Sequence, residues 1–268
     1  MSVIEESEQP YQQSLFYNTL GDLYLSVRDM DQSEHYIMRA KKLAQKSQNY
    51  FAVASNLNHM GNFYAAQNKF QKANKCYSQA LETLASIDES ENLFALQSKL
   101  FINKVHALLE WYSKDNYKKD ITETLNCEFT LLDHLNDSYS KAFDMIALSI
   151  HLQQISQKFG VNYRSTCNDL LSFAIQLATE LNHDRLLSFS YGCMGLLKQS
   201  ENLPGEAKHN FRKAVTYSQY HHPDIYYLWQ WQIGRILYQE DKTEQAAIAY
   251  SLDSCLDYLE ILKKFTLF

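Results

Sequence analysis

The chain has 268 residues, 46% of them hydrophobic, with a formal net charge of −6 and a pI of about 5.8. That acidic balance disfavours a nucleic-acid or anionic-membrane partner, since both require a basic face. Only three prolines and seven glycines occur, so few places can break a helix, and no stretch reads as a flexible linker.

Glu5, Glu6 and Glu8 precede any apolar run, which is unlike a signal peptide. No apolar run approaches the roughly 18 residues of a membrane span. The expectation is a soluble, cytoplasmic chain. The first periodic segment reads Tyr17-x-x-Leu20-Gly21-x-x-Tyr24, followed by Ser33, Ile37 and Ala40. The second reads Leu57-x-x-Met60-Gly61-x-x-Tyr64, followed by Ala73, Tyr77 and Ala80. Counted from the glycine, the shared offsets are −4, −1, +3, +12, +16 and +19. Most of them return at Gly195 (Tyr191, Met194, Ala207, Phe211, Ala214) and at Gly234 (Ile233, Leu237, Ala246, Tyr250).

This pattern resembles the tetratricopeptide repeat, W-x2-L-G-x2-Y followed by A-x3-F and a small residue. The resemblance implies an all-α fold, a right-handed superhelical solenoid of about six helical hairpins. The clear glycines lie 40 and 39 residues apart, against a usual period of about 34, so the helices must be long. The expected hairpins run roughly over 14–50, 54–88, 94–135, 139–181, 185–221 and 224–264, all within one solenoid domain. Small residues at the glycine, +12 and +19 let helices approach, and the aromatic at +16 fills the space between them.

Turn chemistry supports the division. Asp31-Gln-Ser-Glu34 and Asp241-Lys-Thr-Glu244 read as capping boxes that start second helices. Pro204 suits the first turn of a helix, and Pro223 separates the fifth unit from the sixth. The middle is degenerate. Residues 94–135 keep helical spacing without the glycine, with Asp120, Thr124 and Cys127 at the expected intervals. Residues 139–181 place Cys167, Leu171 and Ala174 at +12, +16 and +19, with about six extra residues around Gly160.

Residues 227–237 and 243–250, with the joint Leu135-Asn-Asp-Ser-Tyr-Ser-Lys-Ala142, resemble repeats of bacterial proteins that carry a CHAT protease domain. In that family the repeats sense or bind a partner and a caspase-like domain cuts. That activity does not carry over to these 268 residues, and the likeness fades after Tyr250.

Five cysteines lie far apart without a C-x-x-C pair, so no metal, cofactor or disulfide role is expected. Cys193 lies beside a packing glycine, and no histidine is paired with it by sequence. A buried core role is the better reading than a nucleophile. His221-His222 reads as a solvated loop. No G-x-x-x-x-G-K-[ST], G-x-G-x-x-G or H-E-x-x-H is present, and no catalytic constellation is found.

The candidate site is the groove lined by the first helix of each hairpin. Its face falls three back, one on and four on from each glycine. The residues there include Asn18 and Asp22, Asn58 and Asn62, and Trp231, Arg235 and Tyr238. The asparagines resemble those by which family members hold a peptide backbone, and an amide can both donate and accept. Trp231, Arg235 and Tyr238 make an aromatic–cation patch of the type that dominates interfaces. The expected function is a protein- or peptide-binding scaffold or sensing module. Two alternatives stand beside it: the regulatory half of a CHAT-type protease, and a peptide-responsive regulator. Apolar residues at 252, 255, 256, 259, 262 and 265 form one stripe. That stripe can bury against the sixth hairpin, whereas Ile261, Leu267 and Phe268 fall off it or beyond it, an apolar end that suggests self-association or docking through residues 255–268.

Overall fold

A computed structural model describes residues 10–112 and 118–251. The expected contribution of residues 255–268 therefore lies outside the described residues. Among the described residues the fold is all-α, with twelve helices and no strand. They are α1 (Pro10–Ser26), α2 (Met30–Ser47), α3 (Tyr50–Ala66), α4 (Phe70–Leu84), α5 (Glu91–Trp111), α6 (Lys118–His134), α7 (Tyr139–Phe159), α8 (Arg164–Glu180), α9 (Asp184–Ser200), α10 (Pro204–Ser218), α11 (Pro223–Gln239) and α12 (Thr243–Ser251). Consecutive helices pair as antiparallel hairpins. They gather into two compact units, the first ending at Leu135 and the second beginning at Asn136.

The glycines explain how close each pair comes. A Cβ on Gly21 would stand 2.5 Å from the Ile37 side chain, on Gly195 2.6 Å from Phe211, and on Gly234 2.7 Å from Tyr250. At Gly61 it would overlap the ring of Tyr77. Each partner is the +16 residue of its own hairpin, so a missing side chain on one helix makes room for a large one on the next. Ile37, Tyr77 and Phe211 are fully buried there. Where the glycine is missing, the register puts Leu108 at its position and Thr124 at +16, both buried. Volume has moved from the second helix to the first, which is how a core keeps its total filling.

The turn inside four hairpins is one structure repeated. Arg28, Asn68, Asn202 and Asp241 all lie at +7 and take φ of 62°, 58°, 59° and 59°. The next backbone N–H closes a six-residue ring: Asp29 to Tyr24, Lys69 to Tyr64, Leu203 to Lys198 and Lys242 to Leu237, at 2.9–3.0 Å. This is the Schellman ending, whose left-handed residue is most often Gly or Asn. Both expected capping boxes are corrected by it. The helix α2 is capped by Asp29, whose carboxylate accepts from the Gln32 N–H, while Asp31 sits within the first turn. Asp241 is the left-handed residue that ends α11, one position too early to cap α12. Pro204 and Pro223 open α10 and α11, where a missing N–H costs nothing. Gly160, at φ 74°, ends the long helix α7.

Candidate inter-helix clasp and protein-binding face

The first unit holds Asn18, Asp22, Asn58 and Asn62, and the asparagines are not where an open groove would need them. Asn18 is 1% exposed, Asn58 5% and Asn62 3%. The amide of Asn56 donates to Asn18 Oδ1 at 2.9 Å and to the Ile37 carbonyl at 3.1 Å. The amide of Asn103 donates to Asn58 Oδ1 at 3.0 Å. Both bonds join the first helices of neighbouring hairpins, and both run from −5 to −3 when Leu108 stands for the third glycine. Asn62 Oδ1 accepts from the Tyr77 hydroxyl at 2.9 Å, inside one hairpin. Burial pushes the Tyr77 phenol well above its usual range, so it stays a donor. The expectation of solvent-facing amides is thus corrected. The positions next to each glycine are crowded by the neighbouring helix, and a short amide there satisfies buried groups instead of facing water.

Asp22 lies nearer the surface. Its Oδ2 stands 2.6 Å from His59 Nδ1, each side chain 19% exposed. The pair bridges α1 and α3 as an ion pair when the imidazole is protonated.

The second unit holds the same register with different chemistry. The −5 residue is Trp229, fully buried, and the −3 residue before it is Gly192, whose missing Cβ is replaced by the indole. The indole N–H donates to Ser188 Oγ at 3.0 Å, and the Ser188 hydroxyl in turn donates to the Ala214 carbonyl at 2.8 Å. The rings of Phe211 and Phe189 each lie 6.1 Å away, one stacked and one edge-on. Of the two tryptophans in α11, Trp229 is therefore core, and Trp231 is half-buried.

Trp231, Arg235 and Tyr238 share one face of α11, at i, i+4 and i+7. The Arg235 guanidinium sits 5.0 Å above the Trp231 ring, a stacked cation–π arrangement. Its Nη1 reaches the neutral Gln232 Oε1 at 3.5 Å. Tyr238 is 63% exposed. The aromatic–cation trio is brought together at the surface.

The remaining candidates are inert or structural. Cys193 is fully buried, and burial pushes its thiol up to about 12, so it is protonated at neutral pH and a poor nucleophile. Burial raises Cys167 to about 12 as well. Cys76, Cys127, Cys167 and Cys193 are all free. His222 stands before α11, and partial burial, with Arg185 nearby, lowers its pKa. No group of three His, Cys, Asp or Glu able to hold a metal ion occurs among the described residues. None of the described helices is long and apolar enough to cross a membrane.

Asn56, Asn103, Ser188 and Gly192 were missed by the sequence reading. For Asn56 and Asn103 the signal was the −5 offset, which the glycine-centred pattern does not include; Gly192 and Ser188 stand at −3 and −7 from Gly195 and are found through Trp229, itself at −5 from Gly234.

Comparison with known proteins places these observations. Residues 15–47, the hairpin α1–α2, match the family model described as Tetratricopeptide repeat. No curated protein matches the sequence. Among solved structures, BtubC from P. vanneervenii is similar at TM-score 0.61, with 12% identity, 97% of this chain and 91% of that chain covered. The S. pombe nuclear import adaptor Nro1 is similar at TM-score 0.57, with 14% identity and 96% and 99% covered. A second structure, described as the hypoxic regulator of sterol synthesis Nro1, a nuclear import adaptor, gives 0.56, with 13% identity and 96% and 93% covered. At such identities the likeness concerns the fold: tandem helical hairpins of the tetratricopeptide type.

Proposed function

We propose that the chain is a non-catalytic scaffold that binds a protein or peptide segment, and that the Trp231–Arg235–Tyr238 face is its anchor. The observation that carries this reading is the Arg235 guanidinium, stacked on an indole with no carboxylate bonded to it in the described structure. Such a group favours a partner that offers a carboxylate beside an apolar side chain. The first unit, taken by itself, offers a separate polar and half-buried pair, Asp22 and His59, on α1 and α3. Asn18, Asn58 and Asn62 fix the helices of that first unit. The structurally similar S. pombe Nro1 is a nuclear import adaptor, and that is the kind of work this fold supports.

The test is selection of a random-peptide library on the immobilised chain. Selected peptides should bind the parent and lose at least tenfold in affinity, about 1.4 kcal/mol, against Trp231→Ala with Arg235→Ala. Helicity of that variant should be unchanged. Peptides that bind parent and variant equally would move the site elsewhere.

A second reading rests on the resemblance of residues 227–250 to CHAT-associated repeats. In it the chain regulates a separately encoded caspase-like protease. It requires a stable complex between the two purified proteins, and the absence of one would dismiss it.

A further inference from the structure

Hairpins in each unit meet through the −5 residue of the first helix, and the −1 and +2 residues share its face at i+4 and i+7. In α3 these are Asn56, Met60 and Phe63; in α9 Ser190, Met194 and Leu197; in α11 Trp229, Ile233 and Ile236. Asn56, Phe63, Ser190, Met194, Leu197, Trp229, Ile233 and Ile236 are all less than 9% exposed. In α1 the same positions are Phe16, Leu20 and Leu23, and no hairpin precedes α1 among the described residues. Leu23 is 58% exposed, and one turn on Val27 is 66% exposed. Its equivalents in other hairpins are polar: Gln67, Glu201 and Glu240. Glu201 is neutralised by Lys198 and Glu240 by Lys208. So α1 and the turn that follows it carry an apolar stripe at i, i+4, i+7 and i+11, in the register that elsewhere meets the preceding hairpin.

The geometry points to a head-to-tail contact in which this α1 face receives residues 252–265 of a second copy. That segment carries apolar residues at 252, 255, 256, 259, 262 and 265, one face at helical spacing. Fourteen residues are long enough to cover the roughly 17 Å from Phe16 to Val27. Head-to-tail contact repeats the direction in which successive hairpins already stack. It is heterologous, so it leaves one free face at each end and assembles further as concentration rises.

The test uses the full chain in two variants, Leu23→Glu with Val27→Glu, and Leu259→Glu with Leu262→Glu. The first pair is exposed, so the fold should be kept, as circular dichroism will report. Light scattering should give the parent an average mass that rises with concentration to at least about twofold the monomer. Each variant alone should stay monomeric. A mixture should form a one-to-one dimer, because one intact face and one intact segment remain between them. A parent that is monomeric at every concentration would overturn the proposal, as would a mixture that never pairs. If either variant misfolds, Leu23→Lys and Leu259→Lys take its place, and the same mixture decides.

Discussion

Gly192 and Trp229 occupy one space: the indole of α11 fills the position that a side chain on α9 would take. The tryptophan then reaches Ser188 with its N–H and lies against Phe211. A single missing Cβ thus joins two hairpins of the second unit, and the stack that presents Trp231 and Arg235 at the surface depends on it. Gly192→Ala should force the ring out of place and destabilise by about 1–3 kcal/mol. Urea unfolding followed by far-ultraviolet dichroism measures this. Trp229→Leu in the same chain should remove most of the additional penalty, since the atoms that clash are gone. Equal losses that simply add would show that the two residues do not meet.

The first unit makes the equivalent joint with amides. Asn56→Ala removes two buried hydrogen bonds, one to Asn18 Oδ1 and one to the Ile37 carbonyl. A loss of about 1–3 kcal/mol is expected. Asn58→Ala and Asn62→Ala should also lower the melting temperature, by stranding Asn103 and Tyr77. A variant at Asn58 or Asn62 that melts like the parent and only loses a peptide ligand would return these residues to the binding face.

The fold was legible because the glycine pattern has a direct physical cause. A bare Cα on one helix and a large residue sixteen positions later touch each other, so they vary together along the chain. Gly61 with Tyr77 and Gly195 with Phe211 are read correctly from sequence for that reason. The asparagines were legible as a register but not as an environment. Helical spacing says that Asn18 and Asp22 share a face. It cannot say that Asn56, thirty-eight residues on, will be laid over one of them and not the other. The same limit hid Gly192, which matches no glycine of the pattern and is explained only by Trp229. Arg28 at a left-handed position was hidden too, because its neighbours Asp29 and Asp31 offer equally good caps in sequence.

Glu240 couples two hairpins of the second unit through charge. Hydrogen bonds from Lys208 and then Lys242 hold its carboxyl down at about 2, from an ordinary value of 4.5. Lys208 reaches it from α10 at 2.6 Å. A carboxylate depressed in the folded state stabilises the fold above its unfolded pKa and loses that effect as pH falls through the folded one. The window is therefore between about 4.5 and about 2. Thermal melts in that window should show a steeper acid loss for the parent than for Glu240→Gln. The pair is partly exposed, so salt should reduce the difference. Parallel curves at low salt would mean that the ion pair contributes nothing.

Gly160 and Gly205 are both free of neighbours, and alanine should act on them in opposite directions. A Cβ at either position meets nothing within 4 Å, so packing is removed from the comparison. Gly160 ends α7 with φ 74°, in the left-handed region where a side chain costs about 1–2 kcal/mol. Its N–H must also keep bonding the Ser156 carbonyl at 3.0 Å, which fixes that conformation. Gly205 follows Pro204 in the first turn of α10, at ordinary helical φ. Alanine there narrows the unfolded ensemble at no steric cost and should stabilise by about 0.4–1 kcal/mol. Chemical denaturation of the two variants should place their midpoints on opposite sides of the parent. If Gly160→Ala were neutral, the long helix α7 would have another way to end. The extra residues that set this hairpin apart from its neighbours would then not owe their turn to a left-handed glycine.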